Sequence, residues 1–298
     1  MSGSNQETNG PGKMRQKQPF SNFTIICAFY AIITSGSALA KPVQAQQSGQ
    51  QLTLSEPRQT TCKTITIGGP SSWQPISYIA SDGRQTGLGI DIIEEYARRE
   101  NIAVKIDIDL PWARTLDLLF QGKIDVSAGA YFKTERQWRY QYSDPYYHDD
   151  IMVFQHVDRR FDFGGIDDLR NYRGARPHGG SLGDKIDRYS KQDLDLVYSP
   201  TDDLIFDLLT AGRVDYVLLG RYDGMATLQK LGVQDTIIPV EPAAARTPVH
   251  LLFSRNSPCV QHLERINMLI AELSNNDTLR ERTNYHLGQT VFEPETGS

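Results

Sequence analysis

The chain is poor in the residue patterns that bind metal ions. It has three cysteines in 298 residues, without a C-x-x-C pair, and its six histidines show no H-E-x-x-H or similar ligand spacing. Metal sites are recognised by such spacings of Cys and His. The sequence therefore gives no support for a metal site, and no cofactor is expected.

Long apolar runs are also scarce. The run Phe23–Ile33 is shorter than the roughly 20 residues that a transmembrane helix requires. Basic residues precede it, and small residues follow it in two candidate cleavage sites that end at Ala40 and Ala45. This order is typical of a secretory signal peptide, which we predict over residues 1–45, and it indicates a periplasmic protein. A single transmembrane anchor is the alternative interpretation of the same run.

No basic segment rich in aromatic residues is evident. The formal net charge is −5, and residues 1–40 contain three Lys or Arg residues and one Glu. Subtracting these from the totals of 31 and 36 leaves 28 basic and 35 acidic residues, a net charge of −7. Nucleic acid and anionic membranes attract basic proteins, so neither is an expected partner.

Two cysteines remain once the signal peptide is removed. Cys27 lies in the apolar run and would leave with it, whereas Cys62 and Cys259 stay, 197 positions apart. In an oxidising compartment these two cysteines either form a disulfide or remain free thiols. Their separation excludes a local metal-site motif.

A βαβαβ unit follows a polar linker over residues 46–61. The hydrophobic pattern predicts strands at Thr64–Ile67 and Val104–Ile108, and a third that begins at Ile124–Val126. The helices between them have the apolar faces Ile92, Ile93, Tyr96 and Ala97, and Trp112, Leu116, Leu119 and Phe120, and the second helix ends before Gly122. This order predicts parallel strands covered by helices on both faces.

A second α/β unit repeats the pattern. The predicted strands are Asp195–Tyr198, Val214–Leu219 and Thr236–Val240, and the predicted helices lie over Leu204–Leu209 and Met225–Leu231. Two isolated apolar runs, Ile151–Phe154 and Val249–Phe253, are expected to connect the units. An amphipathic helix with apolar residues from Val260 to Leu273 and a helical piece over Thr278–Tyr285 follow.

One motif suggests a hydrolase. Gly179–Gly183 matches G-x-S-x-G, which would make Ser181 a nucleophile. Such an elbow follows an apolar strand, and the polar residues 173–178 do not predict one. We therefore expect Gly179–Ser181 to open a helix over Asp184–Ser190, with free N–H groups and the serine hydroxyl available to bind an anion.

Charged residues at the ends of elements divide into two groups. The pairs Asp149-Asp150, Asp167-Asp168 and Asp202-Asp203 lie where acidic residues cap helices or face water, so none is interpreted as catalytic. Arg114 and Arg136 follow the carboxyl ends of predicted strands, where α/β proteins bind ligands. Because a guanidinium group can bind a carboxylate with two hydrogen bonds, both arginines are candidate ligand-binding residues.

Several short motifs together carry a resemblance. In chain order they are Trp73–Tyr78, Asp82-Gly83, Gly87–Asp91, Gly122–Asp125, Thr134–Arg136, Tyr142–Tyr146 and Gly212–Asp215. From Cys62 to about Leu287, they resemble the extracellular solute-binding proteins of the polar amino-acid ABC transporter type. Further motifs are similar to the transporter substrate-binding domain branch of that family: Pro111–Arg114, Gly129–Tyr131, Gly180–Asp184 and Ser257–Cys259.

The resemblance implies a periplasmic binding protein-like fold, in which two α/β lobes are joined by two crossing strands. Residues 62–152 and 249–287 would form lobe 1, and residues 153–248 would form lobe 2. A disulfide between Cys62 and Cys259 is also implied.

The resemblance also assigns roles to residues. Arg136 would bind a ligand carboxylate, Trp73 would stack on the ligand and Tyr131 would lie beside the cleft. Gly179, Gly180 and Ser181 would supply contacts from lobe 2.

One position departs from the family pattern. Amino-acid binders of this family carry an Asp at the position of Gly220, where it holds the ligand ammonium group. Asp223 is the candidate substitute. We therefore expect a carboxylate-bearing ligand, and the sequence leaves open whether that ligand has an α-amino group.

The expected function is capture of a small, polar, amino-acid-like ligand by a monomeric periplasmic protein that serves an ABC transporter permease. An enzymatic activity is not expected. Two alternatives stay open. One is a sensory receptor for a membrane partner, and the other is a periplasmic dehydratase or lyase on the same scaffold. Asp184, His178 and Asp223 are the candidates for its general acid or base.

Overall fold

Residues 61–288 are described by a computed structural model. The predicted signal peptide, and the predicted linker apart from Thr61, lie outside the described residues. The strands are β1 (Thr64–Gly68), β2 (Ser72–Trp73), β3 (Ser77–Ile79), β4 (Gln85–Thr86), β5 (Ala103–Asp107), β6 (Val126–Tyr131), β7 (Tyr140–His156), β8 (Arg173–Pro177), β9 (Asp195–Ser199), β10 (Tyr216–Gly220) and β11 (Ile237–Ser254). The α-helices are α1 (Leu88–Glu100), α2 (Trp112–Phe120), α3 (Asp184–Asp193), α4 (Asp202–Thr210), α5 (Arg221–Leu231), α6 (Leu263–Asn275) and α7 (Thr278–Gly288).

Two long strands connect two α/β lobes. The strand order of the main sheet is β5-β1-β6-β11-β7-β10-β8-β9. Strands β5, β1 and β6 are parallel in the first lobe, and β10, β8 and β9 are parallel in the second. Strands β7 and β11 are antiparallel to each other and pair with β10 and β6 respectively. The expected α/β fold with two crossing strands is confirmed.

The apolar runs predicted as connections are longer than expected. Ile151–Phe154 belongs to β7, and Thr236–Val240 and Val249–Phe253 become parts of the single strand β11. Polar residues separate the apolar runs along both strands. For this reason, hydrophobic periodicity did not predict the full length of either strand. In the structure, hydrogen bonds between the two strands also hold the polar stretches in the sheet.

Two local features differ from the sequence prediction. Strand β8 was not predicted, because it is buried on both faces but contains Arg176 and lacks the apolar run that is typical of such a strand. Phe120 was assigned to the apolar face of α2, but its side chain is 40% exposed and packs instead against Trp138. Leu119 occupies the core position of that helix.

The cores lie between the sheet and the helices. In the first lobe, Ile65 and Ile67 of β1 pack with the buried face of α1, which includes the predicted Ile92 and Ile93. In the second lobe, Phe154 and Phe206 meet edge to face with ring centroids 5.5 Å apart. No helix among the described residues has the length and apolar character needed to cross a membrane.

A disulfide closes the first lobe. Cys62, just before β1, and Cys259, just before α6, form a bond of 2.05 Å, as the resemblance implied. Cys259 is 1% exposed. The bond ties the first strand of the lobe to its last two helices across 197 residues of sequence.

Removal of the disulfide is expected to destabilise the protein. A cross-link across so long a loop restricts the unfolded chain, and loss of a native disulfide typically costs about 2–5 kcal/mol. We expect reductant to lower the urea midpoint of the oxidised wild type towards that of the Cys62→Ser/Cys259→Ser double variant. The double variant is the control, because reductant should not change its midpoint. An unchanged wild-type midpoint would contradict this prediction.

Candidate functional site

A cavity of about 220 Å³ lies between the two lobes. It sits at the carboxyl ends of parallel strands, where α/β folds bind ligands, because Tyr131 ends β6, Pro177 ends β8 and Gly220 ends β10. The first lobe supplies Trp73, Trp112, Tyr131 and Arg136 to the wall, and the second supplies Arg176, His178, Ser181, Asp202 and Asp223.

Six of the eight predicted ligand-binding residues border this cavity: Trp73, Tyr131, Arg136, Gly180, Ser181 and Asp223. Arg114 and Gly179 do not, and both are exposed. Successive helix residues are rotated by about 100°, so Arg114 points away from the side on which Trp112 of the same helix meets the cavity. The structure thus brings together the residues on both sides of the cleft but leaves Arg114 outside it.

Arg136 is a free cation on the first lobe. It ends the short 3-10 helix Thr134–Arg136, and its guanidinium carbon lies 5.4 Å from the centre of the Trp112 ring. Among the described residues, no carboxylate forms an ion pair with it. A guanidinium held against an aromatic ring and left without an acid partner is available to bind an anion.

A buried carboxylate organises the aromatic side of the cavity. Asp149 of β7 is 2% exposed, and its Oδ2 accepts hydrogen bonds from Trp73 Nε1 at 3.1 Å and from the Tyr131 hydroxyl at 2.6 Å. The two rings meet at 66° with centroids 4.9 Å apart. Burial raises the pKa of Asp149 to about 6, even though both hydrogen bonds favour the charged form. Asp149 thus positions both aromatic side chains.

Asp149 also explains why residue 220 is glycine. A Cβ atom at Gly220 would lie 2.8 Å from Asp149 Oδ2, closer than side-chain atoms approach. The backbone of Gly220 has a φ of −57°, which any residue adopts, so space and not conformation requires glycine here. A carboxylate thus lies on the strand next to Gly220, but it binds Trp73 and Tyr131 and does not border the cavity. Sequence reasoning missed it because Asp149 resembled an acidic residue at the end of an element.

The expected anion site at the start of α3 is partly occupied. Asp187 Oδ1 accepts from the Leu182 N–H at 3.1 Å and from Arg176 at 2.9 Å, and Asp187 Oδ2 accepts from the Ser181 hydroxyl at 2.7 Å. Burial acts against ionisation of Asp187, but these donors outweigh it and lower its pKa. The protein's own carboxylate thus fills the place that we expected to be open for a ligand.

The nucleophile interpretation of Ser181 also loses support. The argument from a missing strand was wrong, because β8 precedes the motif. However, the Ser181 hydroxyl donates to Asp187 and accepts from the Gly183 N–H. No described histidine hydrogen-bonds to it, so the base that activates a serine is not in place.

The two lobes touch across the cleft. The Thr134 N–H of the first lobe donates to Asp184 Oδ2 of the second at 3.1 Å, and Lys133 Nζ lies 3.7 Å from Asp187 Oδ2. These polar contacts close one side of the cavity. Within residues 61–288, no group of three or more His, Cys, Asp or Glu side chains could hold a metal ion.

The family model for bacterial extracellular solute-binding proteins, family 3, matches residues 65–289. The chain belongs to this family. It is 23% identical over 232 residues to the L-cystine-binding protein TcyJ of Escherichia coli K12, covering 76% of this chain and 84% of that protein.

Solved structures share the fold. A histidine kinase sensor domain with similarity to periplasmic binding proteins superimposes with a TM-score of 0.63 at 22% identity, covering 76% of this chain and 96% of the other. The arginine-bound form of truncated ArgBP from T. maritima gives 0.58 at 22% identity, covering 71% and 96%. The resemblance inferred from the motifs is confirmed, and the family consists of binding proteins that act outside the cytoplasm.

The raised pKa of Asp149 predicts a pH effect on this solute-binding protein. The folded state retains the Asp149 proton between the usual value of 3.8 and about 6, so this residue favours folding at low pH. Its contribution is lost as the pH rises through this window, by about 3 kcal/mol. We expect the stability of wild type relative to Asp149→Asn to fall by most of that amount between pH 4 and pH 7, measured by urea unfolding.

The comparison with Asp149→Asn isolates one group. Asp202, Asp223 and the buried histidines are present in both proteins, so their titration largely cancels in the difference. A difference in stability that does not vary with pH would show that the pKa of Asp149 is the same in the folded and unfolded protein, so that burial does not raise it.

Proposed function

We propose that the protein captures a small amino-acid-like ligand in the cavity between its lobes, in the periplasm, and delivers it to an ABC transporter permease. One observation carries the proposal. Arg136 on the first lobe and Asp223 on the second both border the cavity, and neither forms an ion pair with any other residue of the described range 61–288. A ligand with one carboxylate and one ammonium group matches both.

Such a ligand would hold the lobes together. Its carboxylate would bind Arg136 of the first lobe, and its ammonium group would bind Asp223 of the second, so both contacts form at once only when the cleft is closed. A ligand that binds one conformation more tightly shifts the population towards it. Burial strengthens both charged hydrogen bonds relative to a free surface.

The relatives support an amino-acid ligand. One is an L-cystine-binding protein, and a structural neighbour was solved with arginine bound. Because both likenesses are distant, we extend to this chain only the ligand class, an amino acid or a close analogue. The aromatic pair Trp73 and Tyr131 would pack against its apolar part.

The same geometry favours binding over catalysis. Of the general acid or base candidates, Asp184 accepts from the Thr134 N–H across the cleft, and His178 is exposed. Asp223 remains, and we assign it to the ligand ammonium group. Among the described residues, no hydrogen bond joins Asp184, His178 and Asp223 to one another, and an acid or base oriented by such a bond is what catalysis would require.

A sensory role is the second candidate, because a histidine kinase sensor domain has the same fold. In that role the same closed, ligand-bound state would be recognised by a separate membrane partner. Ligand capture is common to both functions, so the ligand-binding experiment tests the shared step.

Replacement of Arg136 tests the proposal directly. We expect Arg136→Ala to weaken binding of amino acids that bind the wild type by roughly 100-fold or more, because the ligand carboxylate loses a charged partner in a buried site. Arg114→Ala is the matched control, since Arg114 is an exposed arginine of the same lobe outside the cavity. Calorimetry gives the affinities, and the fluorescence of Trp73 and Trp112 reports occupancy.

The controls separate binding from folding. Both arginine variants should unfold at urea midpoints close to that of the wild type. Equal affinity of wild type and Arg136→Ala would disprove the assignment of Arg136. A wild type that binds no amino acid would disprove the proposed function itself.

A further inference from the structure

The second lobe places more negative charge at the cavity than one ammonium group can balance. Asp202 begins α4, Asp223 lies in the first turn of α5, and both border the cavity. Among the described residues, neither carboxylate forms an ion pair or accepts a hydrogen bond. The Oδ1 atom of Asp223 is shut off from solvent and has no partner. A buried acid without a partner destabilises a fold unless something else binds it.

The cations of the second lobe are committed elsewhere. Lys230 Nζ lies 2.6 Å from Asp203, Arg176 pairs with Asp187 at 2.9 Å, and Arg221 pairs with Glu241 at 2.8 Å. None of these basic side chains forms an ion pair with Asp202 or Asp223. The charge of Lys230 nevertheless acts on Asp202 and lowers its pKa, so Asp202 is balanced in part. Within the described part of the chain, no cation acts in this way on Asp223.

The charge of Asp202 also acts on Asp223. Burial raises the pKa of Asp223 most, and the charges of Asp202 and Asp149 raise it further. Burial and the charge of Asp203 raise the pKa of Asp202 to about 6. Groups that interact in this way lie near each other in a site of low polarity. A single positive group would relieve only part of their repulsion.

Asp202 stands where two cavities meet. A second cavity of about 570 Å³ lies beside the first and shares Ser72, Pro200 and Asp202 with it. Asp223 borders the first cavity only, near Gly220 and the aromatic pair. A ligand whose α-ammonium group reaches Asp223 would therefore direct its side chain past Asp202.

We propose that the ligand is an amino acid with a positively charged side chain, whose α-ammonium group binds Asp223 and whose side-chain cation binds Asp202 at the junction of the two cavities. The proposal rests on the proposed function and narrows its ligand class. The ligand then supplies two positive charges and one negative charge, which match Asp202, Asp223 and Arg136. Neutral amino acids leave Asp202 unpaired, and this is the source of the selectivity.

The test compares two ligands of nearly equal shape. In L-citrulline, a neutral ureido group replaces the guanidinium group of L-arginine. We expect the wild type to bind arginine more tightly by roughly 10- to 100-fold, the strength of a charged hydrogen bond in a buried site. L-Lysine and L-norleucine form a second pair with the same expectation. Calorimetry measures all four dissociation constants.

Variants of Asp202 and Asp223 test which part of the ligand each acid binds. Asp202→Asn should reduce the preference for arginine over citrulline to within about three-fold, because only the side-chain contact is lost. Asp223→Asn should weaken both ligands by similar factors. Asp207→Asn is the control, since Asp207 is an exposed acid on the same helix, α4, and borders neither cavity. It should leave both affinities and the preference unchanged.

The possible failures are distinguishable. If the wild type binds citrulline as tightly as arginine while Arg136→Ala abolishes both, the proposed function stands and this inference is overturned. A preference for arginine that persists in Asp202→Asn also overturns it, because another group must then bind the side chain. If the wild type binds none of the four but binds another amino acid, this inference is overturned and the proposed function stands. If it binds no amino acid, the proposed function fails as well.

Discussion

The pairing of β7 with β11 is the constraint on which the rest of the structure depends. These strands are hydrogen-bonded along most of their length and carry the sheet from one lobe into the other. Each borders the parallel strands of one lobe, β11 beside β6 and β7 beside β10. The carboxyl ends of β6 and β10 therefore reach the same cleft, and the residues that follow them line one cavity.

Placing a functional residue on a crossing strand has a cost that the structure offsets locally. Asp149 is buried in the middle of β7, where an ionised carboxylate is unfavourable. Trp73 and Tyr131 each donate a hydrogen bond to it, and Gly220 leaves room for it. The arrangement links the first lobe, the crossing strand and the end of β10 through one side chain. A substitution at any one of these positions should therefore alter the packing at the others.

Much of the fold follows from the sequence, because hydrophobic periodicity reports burial one element at a time. The faces of α1 and α6 and the strand β1 were predicted well for this reason. Strand β8 was not predicted, because its arginine is buried only by pairing with Asp187, which lies eleven residues later in the chain. The full length of β7 and β11 was not predicted either. Each is continuous because it pairs with a distant segment, and hydrophobic periodicity gives no information on such pairing.

The candidate site likewise contains residues that could be predicted from the sequence and residues that could not. Arg136, Trp73 and Tyr131 could be predicted because they lie in recognisable motifs. Asp149 and Asp202 could not, since each belongs to a pair of adjacent acids that looks like a helix cap or a solvated surface. What distinguishes them is that neither carboxylate forms an ion pair within residues 61–288 and that burial raises the pKa of each, and both are properties of the folded chain. The departure from the family pattern at Gly220 pointed to Asp223, and it carried no signal for Asp149 or Asp202.

The distribution of charge between the lobes has a consequence for closure. Within residues 61–288, the cation at the cavity that forms no ion pair, Arg136, lies on the first lobe, and the acids that form none, Asp202 and Asp223, lie on the second. Opposite charges on the two walls would favour closure only weakly across water. A ligand that carries both signs replaces that weak attraction with direct hydrogen bonds to each wall. An acid without an amine could bind Arg136 but would leave Asp223 unpaired as the cleft closed. Under the proposed function, closure would therefore depend on the charge pattern of the ligand as well as on its size, because the acids of the second lobe would oppose a closed cleft that holds no cation.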